Sequence, residues 1–419
     1  MSAFINNHYD KLLIFVNFQI TLIMITWLLL LLVCHLTCGY FYKELDRSFK
    51  HKLAQQYSPK GNSKTDFDVR SKQYQVVKNV VWFNQPYWTQ DTIPLGDAFF
   101  SKCAVKSCKL VPTTSSTIKS SDAVIFHAVN LPDVSPPKRH PKQTWIFFGL
   151  EPPFHYKSRV WASNDWFNLF NWTMTYRFDS DIVHPYSVSR NRELKGFKRS
   201  YGDIIKLKTG LIAWSVSNCE TRGKRRQYVK QLQDYFQVDI YGKCGTFPCR
   251  KKCFEEINKK YKFYLAFENS FCKDYITEKF FRTQNLDVVA IVRGGGDYSR
   301  FYPPGTYINT ADFSSVRELA IYLQYLDEND AAYSEYLHKK SLFISGDNIR
   351  KIAFCEMCRK LHDINVYGRT ISNISDWLNT CFEPPDLEAY TTDESELQRQ
   401  YIDVIASKKK NKPILQIDY

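Results

Sequence analysis

The sequence predicts an α/β fold with two doubly wound domains that face a cleft, behind an N-terminal transmembrane helix. Three observations in the 419 residues predict it: a long uncharged apolar run near the N-terminus, short and almost wholly apolar runs further along, and helical patterns between those runs. Short apolar runs suit strands that are buried on both faces of a parallel sheet. Their alternation with helices is typical of α/β architecture. With 24% charged and 44% hydrophobic residues, the chain is neither a disordered tail protein nor a multi-span membrane protein.

The first predicted element is the apolar run at residues 12–33, which has 22 residues and no charge. A helix needs about 20 apolar residues to cross a bilayer, whereas the apolar part of a cleaved signal peptide usually has about 7 to 15. We therefore expect an uncleaved signal-anchor after a cytoplasmic tail of residues 1–11, with a cleaved signal peptide as the alternative. Residues 34–73 are expected to form a stem, because their second half is polar and turn-rich.

The orientation of this anchor depends on two opposing signals. Lysine and arginine are more frequent just after the run than before it, and the positive-inside rule would then place most of the chain in the cytosol. Long domains, however, translocate largely regardless of flanking charge. The cysteines beyond the anchor also make better sense in an oxidising lumen. We therefore expect the domains to be luminal.

Two predicted domains follow the stem. Apolar runs typical of buried strands occupy residues 76–83, 123–127, 144–149, 210–216, 238–241, 263–267 and 288–292. Helical patterns occupy residues 227–236, 275–282 and 315–329. A basic, turn-rich stretch at residues 190–203 separates two sets of strands, which favours two doubly wound halves. We place the first domain at residues 74–205, the second at 206–385 and a charged tail at 386–419.

A strand that ends in polar groups just before a helix start is predicted at residues 261–279, which read YKFYLAFENSFCKDYITEK. This is the place where α/β folds bind phosphate. There Glu278 can accept hydrogen bonds from ribose hydroxyls, and the Lys279 ammonium can pair with a diphosphate. The alternative is an ordinary helix start with a solvated Glu–Lys pair.

The same stretch resembles the donor-binding signature of the α1,3/α1,4-fucosyltransferases, and patches of resemblance extend from about Val80 to the C-x-x-C at Cys355 and Cys358. The resemblance implies a single-pass type II enzyme of the Golgi membrane, with two Rossmann-like domains in a GT-B-like arrangement. Enzymes of that family transfer L-fucose from GDP-fucose, with inversion, in α1,3 linkage to N-acetylglucosamine of glycoprotein or glycolipid glycans. The implied first domain binds the acceptor, and the implied second domain binds GDP-fucose.

The resemblance also implies roles for residues on the donor side. Ser217 and Asn218, followed by Arg225, are similar to the segment that begins the family's donor domain. Arg225 would join Lys279 at the diphosphate, where two fixed cations stabilise the charge that develops on departing GDP. The positions implied to shape the guanosine and fucose site are Glu268, Asn269, Tyr275, Thr277 and Glu278. No tightly bound cofactor is implied, and stimulation by Mn²⁺ or Mg²⁺ is compatible with the fold without being required by it.

A third patch, GLEPPFHY, carries the implied catalytic base, because Glu151 follows the strand predicted at residues 144–149. In the family's chemistry Glu151 would take the proton from the acceptor 3-hydroxyl during an in-line displacement. Pro152 stands where the family has serine, which makes the loop stiffer, and His155 is retained. Without the resemblance, a lone glutamate in a loop would be read as a surface residue.

Two further features concern charge. Asp179 and Asp181 form a D-x-D pair, which elsewhere marks metal-dependent glycosyltransferases that hold Mn²⁺ on a nucleotide diphosphate. We expect no metal role here, because the pair falls in the presumed acceptor half. Residues 190–262 contain 19 Lys or Arg and 7 Asp or Glu, so this stretch carries +12 of the net charge of +14. An anionic sugar nucleotide accounts for such local basicity, and we expect no nucleic-acid partner.

Ten cysteines lie beyond the two nearest the apolar run. By spacing alone, Cys355 and Cys358 suit half a zinc site or a redox pair, yet no second C-x-x-C completes four ligands. The resemblance instead pairs them with Cys103 and Cys108, in bonds that would return the last helix to the first domain. The pairing of the other six stays open.

Two asparagines, Asn171 and Asn373, lie in N-glycosylation sequences. We favour Asn373, because Asn171 belongs to a family motif that we expect to be partly buried.

Two departures from the family pattern keep alternatives open. Ala290 stands where relatives usually have proline, and Arg293 stands where they have leucine. A glycosyltransferase that uses another nucleotide sugar, or an inactive relative that binds glycans, therefore stays an alternative. The sequence leaves open the acceptor, which is the N-glycan core, an antennal LacNAc or a LacdiNAc unit, and also the oligomeric state.

Overall fold

A computed structural model of the chain describes residues 76–193, 199–346, 349–363 and 369–387. The predicted signal-anchor, the stem and nearly all of the predicted tail lie outside these ranges. Within the ranges, no helix is both long enough and apolar enough to cross a membrane. The described residues form an α/β fold that is built on two parallel sheets, as predicted.

The first sheet is buried on both faces. In chain order its half contains β1 (Lys78–Trp82), β2 (Cys108–Val111), α1 (Ser115–Ser120), β3 (Ala123–His127), β4 (Thr144–Gly149), β5 (Trp172–Thr175) and β6 (Ile182–Val183). All six strands are parallel and lie in the order β2-β1-β3-β4-β5-β6. Along β4, Ile146 and Phe148 pack into one apolar cluster, while Trp145 and Phe147 pack into another on the opposite face. Burial on both faces explains why these strands are apolar at almost every position.

The second sheet follows a short connection that contains β7 (Ser189–Asn191) and α2 (Tyr201–Lys206). In chain order its half contains β8 (Gly210–Ser215), α3 (Arg225–Leu232), β9 (Val238–Tyr241), α4 (Cys253–Lys260), β10 (Tyr261–Phe267), β11 (Phe271–Cys272), α5 (Glu278–Phe281), β12 (Val289–Arg293), β13 (Tyr307–Asn309), α6 (Val316–Glu328) and α7 (Asp330–Ser341). Its parallel strands lie in the order β13-β12-β10-β8-β9. The strand order therefore reverses at β8, and such a switch point, at the carboxyl ends of the strands, is where α/β sheets bind ligands.

The C-terminal part of the chain returns to the first half and then to the second. It contains β14 (Phe343–Ser345), α8 (Ile349–Leu361), α9 (Ile374–Leu378) and β15 (Cys381–Phe382). Phe354 and Met357 on α8 are fully buried against the first sheet. Further along, β15 pairs antiparallel with β11 in the second half.

Five disulfides join the ten cysteines beyond the N-terminal region. Two of them tie α8 to the first half, by joining Cys103 to Cys355 and Cys108 to Cys358. The other three pairs, which the sequence left open, are Cys219–Cys244, Cys249–Cys253 and Cys272–Cys381. The last of these fixes β15 to β11.

One predicted helix begins later than expected. The helical pattern at residues 275–282 suggested a start near Tyr275, but α5 begins at Glu278. Asp274 adopts a left-handed backbone conformation with φ of 61°, and Thr277 caps the helix by accepting a hydrogen bond from the Lys279 backbone N–H. The residues between them are therefore held in a loop that leads into the helix.

The first two residues of the predicted tail, Asp386 and Leu387, contact the second half. The Asp386 carboxylate binds the guanidinium of Arg293 at 2.6 and 2.7 Å, and Leu387 packs against the core of the second half. A buried cation requires an anionic partner, and this requirement keeps the chain docked through residue 387.

Candidate active site

The carboxyl ends of β8 and β10 bring together the residues that the sequence assigns to the donor. Ser217 and Asn218 follow β8 and are exposed, whereas Glu268 and Asn269 follow β10 and are buried. These two strands are direct neighbours in the sheet. The polar groups therefore meet at the switch point of the second sheet, as that topology requires.

Arg225 links these two strand ends. Its Nη1 donates a hydrogen bond of 3.0 Å to the carbonyl of Phe267, and its Nη2 donates one of 2.8 Å to the carbonyl of Asn218. The residue is only 3% exposed, and burial lowers the pKa of its guanidinium. Arg225 is therefore a rigidly placed cation at the switch point.

Glu268 is fully buried and organises the loop before α5. Its carboxylate accepts hydrogen bonds from the Thr277 backbone N–H at 2.8 Å and from the Thr277 hydroxyl at 2.9 and 3.0 Å. It also accepts one of 3.2 Å from Lys279 Nζ. Burial raises the pKa of this carboxyl group. Because both its oxygens are bound inside the protein, Glu268 positions Thr277 and Lys279.

Lys279 remains a cation in this setting. Burial lowers the pKa of its ammonium, but the carboxylates of Glu268 and Glu278 outweigh that effect and raise the pKa overall. Nζ lies 3.2 Å from Glu268 and 3.5 Å from Glu278, and the side chain is 21% exposed. Glu278 itself is about half exposed. The ammonium is therefore held in place and still reachable by a ligand.

Four buried polar atoms of this region have no hydrogen-bond partner among the described residues: Oγ1 of Thr221, Nε of Arg225, Oδ1 of Asn269 and Oγ of Ser270. A buried polar group without a partner costs about 1–3 kcal/mol, so native proteins rarely keep several together. Their presence at the switch point is what a site for a polar ligand requires.

Glu151 lies two residues beyond the carboxyl end of β4 and contacts the second half of the chain. Its Oε2 accepts a hydrogen bond of 3.0 Å from the hydroxyl of Tyr275. The Tyr275 ring is fully buried and packs edge-on against Tyr176 and Tyr186, with centroids 5.0 and 6.2 Å apart. Tyr186 in turn donates to the Leu150 carbonyl at 2.7 Å. The Glu151 carboxylate is thus held by Tyr275, and the backbone just before it is held by Tyr186.

His155 lies near the same groups, in the turn that follows Glu151. Burial lowers the pKa of its imidazole; the Glu151 carboxylate works in the opposite direction, and the cations Lys279 and Arg225 lower the pKa further. The ring is therefore neutral at neutral pH.

A cavity of about 780 Å³ opens beside Glu151. Its aromatic lining includes Trp88. The guanidinium carbon of Arg350 lies over the Trp88 ring, 4.9 Å from the ring centroid. His127 and His184 also line it, and burial lowers the pKa of each to about 4. The cavity thus presents aromatic rings and uncharged imidazoles at neutral pH, next to a fixed carboxylate.

Comparison with known proteins follows the same division of the chain. Residues 76–187 match the family described as "Fucosyltransferase, N-terminal", and residues 205–377 match "Glycosyltransferase family 10 (fucosyltransferase) C-term". The alpha-(1,3)-fucosyltransferase C of Drosophila melanogaster is 34% identical over 312 residues, covering 67% of this chain and 71% of that protein. The chain belongs to glycosyltransferase family 10, the fucosyltransferases.

Two other similarities extend the comparison. The glycoprotein 3-alpha-L-fucosyltransferase A of Drosophila melanogaster is 37% identical to this fucosyltransferase over 287 residues, which cover 66% of the chain and 55% of that protein. The chain therefore spans about half the length of that relative. A crystal structure described as an α1,3-fucosyltransferase with GDP-fucose has a TM-score of 0.49 and 16% identity, covering 76% of this chain and 97% of the other.

The D-x-D pair of this fucosyltransferase bonds to the protein itself. Asp179 accepts two hydrogen bonds from the Arg177 guanidinium, at 2.6 and 2.8 Å, and one from Lys273 at 3.1 Å. Asp181 accepts from the backbone N–H and the hydroxyl of Thr173, at 2.9 and 3.0 Å. Both carboxylates have structural partners in the loop that they stabilise.

The C-x-x-C cysteines have a structural role as well. The sulfur atoms of Cys108 and Cys358 and a ring nitrogen of His362 all lie within 4.8 Å of one another. Because the two sulfurs are joined in a disulfide, they offer no thiolate to a metal.

The two glycosylation sequences differ in accessibility. Asn171 is 7% exposed, and its side chain accepts from the Trp145 backbone N–H at 2.8 Å and donates to the Arg369 carbonyl at 3.0 Å. A glycan on Asn171 would have to replace these contacts, so its burial favours Asn373 as the glycosylation site. Asn373 is partly exposed and caps α9 by accepting from the Ser375 N–H.

Several residues that line the cavity beside Glu151 carry no motif in the sequence. Trp88, His184 and Arg350 line the cavity beside Glu151, although they come from three distant parts of the chain. Their signal in the sequence is weak, since each looks like an ordinary core or surface residue until the fold brings it to Glu151.

Proposed function

We propose that this fucosyltransferase transfers L-fucose from GDP-fucose, with inversion, in α1,3 linkage to N-acetylglucosamine of a glycoprotein or glycolipid glycan. The observation that carries the proposal is the hydrogen bond between Tyr275 and Glu151. Tyr275 belongs to the loop that leads into α5, and Lys279 is the second residue of that helix. A carboxylate suited to act as a base is therefore fixed beside a cation suited to hold a diphosphate.

In the proposed mechanism, the acceptor 3-hydroxyl attacks C1 of fucose on the face opposite to GDP. A bond forms between the acceptor oxygen and C1, and the bond between C1 and the β-phosphate oxygen breaks, with its electron pair leaving on GDP. The proton of the hydroxyl goes to Glu151. A single in-line displacement of this kind inverts the configuration at C1.

Arg225 and Lys279 stabilise the leaving group in this mechanism. Negative charge grows on the diphosphate as the bond to fucose breaks, and preorganised cations in a buried site are most effective against charge that develops in the transition state. The hydrogen bonds of both residues to the protein keep them in place before the reaction begins. A divalent cation such as Mn²⁺ or Mg²⁺ would add to this effect, but the proposed charge balance does not depend on one.

The acceptor is proposed to enter the cavity beside Glu151. Rings such as those of Tyr87 and Trp88 offer apolar faces on which the C–H groups of a sugar can stack, and Tyr87 is 80% exposed at the rim. The cavity volume of about 780 Å³ suits more than one sugar unit.

We propose a domain assignment that agrees with this mechanism. Residues 74–205 would form the acceptor domain and residues 206–385 the GDP-fucose domain of a GT-B-like enzyme, with α8 returning to the first domain. We infer a Golgi enzyme of type II topology with its catalytic region in the lumen, anchored by residues 12–33. The disulfides fit an oxidising compartment of this kind.

The departures at Ala290 and Arg293 motivate the main alternative, which is another nucleotide sugar as donor. Ala290 is fully buried within β12, opposite Tyr264 and Tyr307, and Arg293 is bound to Asp386. Both residues therefore contact the protein rather than an open pocket. Their departure from the family pattern gives no reason to propose a donor other than GDP-fucose.

The test of this function uses the purified full-length chain in detergent, with an array of glycan acceptors and GDP-fucose as donor. GDP-mannose and GDP-galactose compete in parallel reactions, and NMR of the product gives linkage and anomeric configuration. We expect an α1,3-linked fucose and little inhibition by the other GDP-sugars. Turnover of another donor would support the alternative, and glycan binding without any turnover would identify an inactive relative.

A further inference from the structure

The carboxyl end of β12 carries a fully buried arginine, Arg293, that the mechanism above does not use. Its side chain lies between the rings of Tyr228 and Phe271, whose centroids are 4.7 and 4.8 Å from the guanidinium carbon. Arginine is almost never fully buried unless it is paired, because removing its charge from water is expensive. Because burial of this guanidinium is unfavourable, we ask which contacts it makes.

The guanidinium of Arg293 joins three segments. Nε and Nη2 bind both oxygens of Asp386, at 2.7 and 2.6 Å, in a two-pronged ion pair. Nη1 donates to the carbonyl of Gly223 at 2.5 Å. In addition, the backbone carbonyl of Arg293 accepts from the Glu268 N–H at 2.8 Å. Arg293 thus contacts both polypeptide segments that carry the proposed donor-binding residues.

Gly223 is the critical point of this arrangement. Its N–H donates to the Asn269 carbonyl at 2.8 Å, and a Cβ at this position would lie only 2.9 Å from the Glu268 carbonyl. The next residue, Lys224, has a left-handed φ of 47° and is followed directly by Arg225. The turn at residues 221–224 is therefore pressed against the end of β10, and its position sets where Arg225 begins α3.

The partner carboxylate lies on a segment that the chain returns to this site, residues 381–387, which we call the C-terminal strap. The strap is bound by the Cys272–Cys381 disulfide and by pairing of β15 with β11. Glu383 adds an ion pair of 3.1 Å with Lys224, on the same turn. The disulfide and the strand pairing thus fix the strap to β11, and the Glu383 ion pair joins the strap to the turn that precedes Arg225.

We propose that the Arg293–Asp386 ion pair is a positioning device for the donor site, by which the C-terminal strap holds the turn at residues 221–224 and so places Arg225 at the diphosphate. The inference rests on the proposed function, because it takes the switch point as the GDP site. Arg293 and Asp386 act through Arg225 and are positioning residues. The Asp386 side chain is 21% exposed, whereas that of Arg293 is fully buried. An isosteric substitution of Asp386 can therefore remove the ion pair without changing a fully buried side chain.

The test is Asp386→Asn in the full-length chain, with GDP as the probe. Loss of the carboxylate leaves a buried guanidinium without its counter-charge, and the turn is expected to shift. Calorimetric titration should give a GDP dissociation constant about 10-fold higher, and the KM for GDP-fucose should rise by the same factor. The KM for the glycan acceptor should stay unchanged, because no described residue of the strap lines the proposed acceptor cavity.

Asp239→Asn serves as the matched control. Asp239 is also a buried carboxylate of the second sheet, bound to Lys260 at 3.3 Å and to the Tyr261 hydroxyl at 2.5 Å, but it lies at the amino end of β9. This variant should lose stability without losing GDP affinity. Equal losses of GDP affinity in the two variants would overturn the inference, because general loosening of the sheet would then explain both.

A second variant separates positioning from stability. In the double variant Arg293→Met, Asp386→Met, an apolar pair replaces the buried charges, and such replacements often restore stability. The bond to the Gly223 carbonyl is still lost. We expect recovered thermal stability with weak GDP binding, whereas recovery of both would show that the pair is only structural. A wild-type chain that binds no GDP at all would refute the proposed donor and this inference together; wild-type binding that Asp386→Asn leaves unchanged would refute this inference alone.

Discussion

The hydroxyl of Tyr275 donates a hydrogen bond of 3.0 Å to Oε2 of Glu151. The two residues are 124 positions apart and belong to different halves of the chain. Burial raises the pKa of the Tyr275 hydroxyl well above its usual value, so that it stays protonated and remains a donor. The base position in the first half is therefore set by a residue of the second half, next to the loop that presents Lys279.

Tyr275→Phe tests this link directly. The variant keeps the buried ring but loses the hydroxyl, which frees the Glu151 carboxylate to rotate. A hydrogen bond to a charged group contributes about 1.5–3 kcal/mol, so kcat is expected to fall at least about 10-fold. The KM for GDP-fucose should change little. Steady-state kinetics with both substrates varied would measure this.

Tyr333→Phe is the matched control for that measurement. Tyr333 is also fully buried and donates to the Lys262 carbonyl at 2.6 Å, near the amino end of β10. We expect its kcat to match that of the wild type. A Tyr275→Phe enzyme as active as Tyr333→Phe would contradict the proposed link.

Much of the fold was predictable from local sequence. The strands predicted at residues 123–127, 144–149 and 238–241 have the bounds that the structure gives them. Each is buried on both faces, so its pattern follows from burial alone. By contrast, β5 (Trp172–Thr175) was not predicted, because its two threonines interrupt the apolar run. The threonine hydroxyls are buried and hydrogen-bonded to Asp181 and Ser180.

The site was predictable only where its residues form continuous motifs. Glu268 to Lys279 lie within one stretch, and the fold gathers them as the sequence indicates. The contact of Tyr275 with Glu151 and that of Arg293 with Asp386 were not predictable, because each joins residues about 90 or more positions apart. The hydrophobic periodicity of a short segment contains no information about such pairs. They form only when segments far apart in the sequence are brought together by the tertiary fold.

Lys279 provides the second prediction. Lys279→Met removes the cation that Glu268 holds at 3.2 Å and should weaken GDP binding by about 10- to 100-fold, because a hydrogen bond between charged groups contributes about 1.5–3 kcal/mol. Lys279→Arg keeps the charge and should recover part of the affinity. Calorimetric titration with GDP measures both.

The exposed Lys230 on α3 supplies the control for charge alone. Lys230→Met removes one positive charge from the same basic stretch and should leave the GDP dissociation constant unchanged. If the two methionine variants weakened GDP binding equally, the general basicity of the stretch would explain the effect and Lys279 would have no special role.

His184 leads to a prediction about pH and stability. Burial lowers the pKa of its imidazole from 6.5 to about 4, so the unfolded chain binds a proton there that the folded chain does not. The stability contributed by the neutral ring is present above about pH 6.5 and is lost as pH falls toward 4. This one residue can account for up to about 3 kcal/mol of that loss.

His184→Gln should therefore flatten the dependence of the free energy of unfolding on pH between about 6.5 and 4. Urea unfolding at a series of pH values measures it. His140→Gln, at an exposed histidine, should leave the slope as in the wild type. A slope that is identical in all three proteins would show that His184 does not titrate in this way.

The assignment of Glu151 as the base is tested by the rate of fucose transfer by Glu151→Gln. This variant keeps the size and hydrogen-bonding reach of the side chain but cannot accept the proton, and transfer should fall by on the order of 100-fold or more. GDP should bind as in the wild type, and the exposed Glu220→Gln should transfer normally. Wild-type transfer by Glu151→Gln would contradict the assignment of Glu151 as the base.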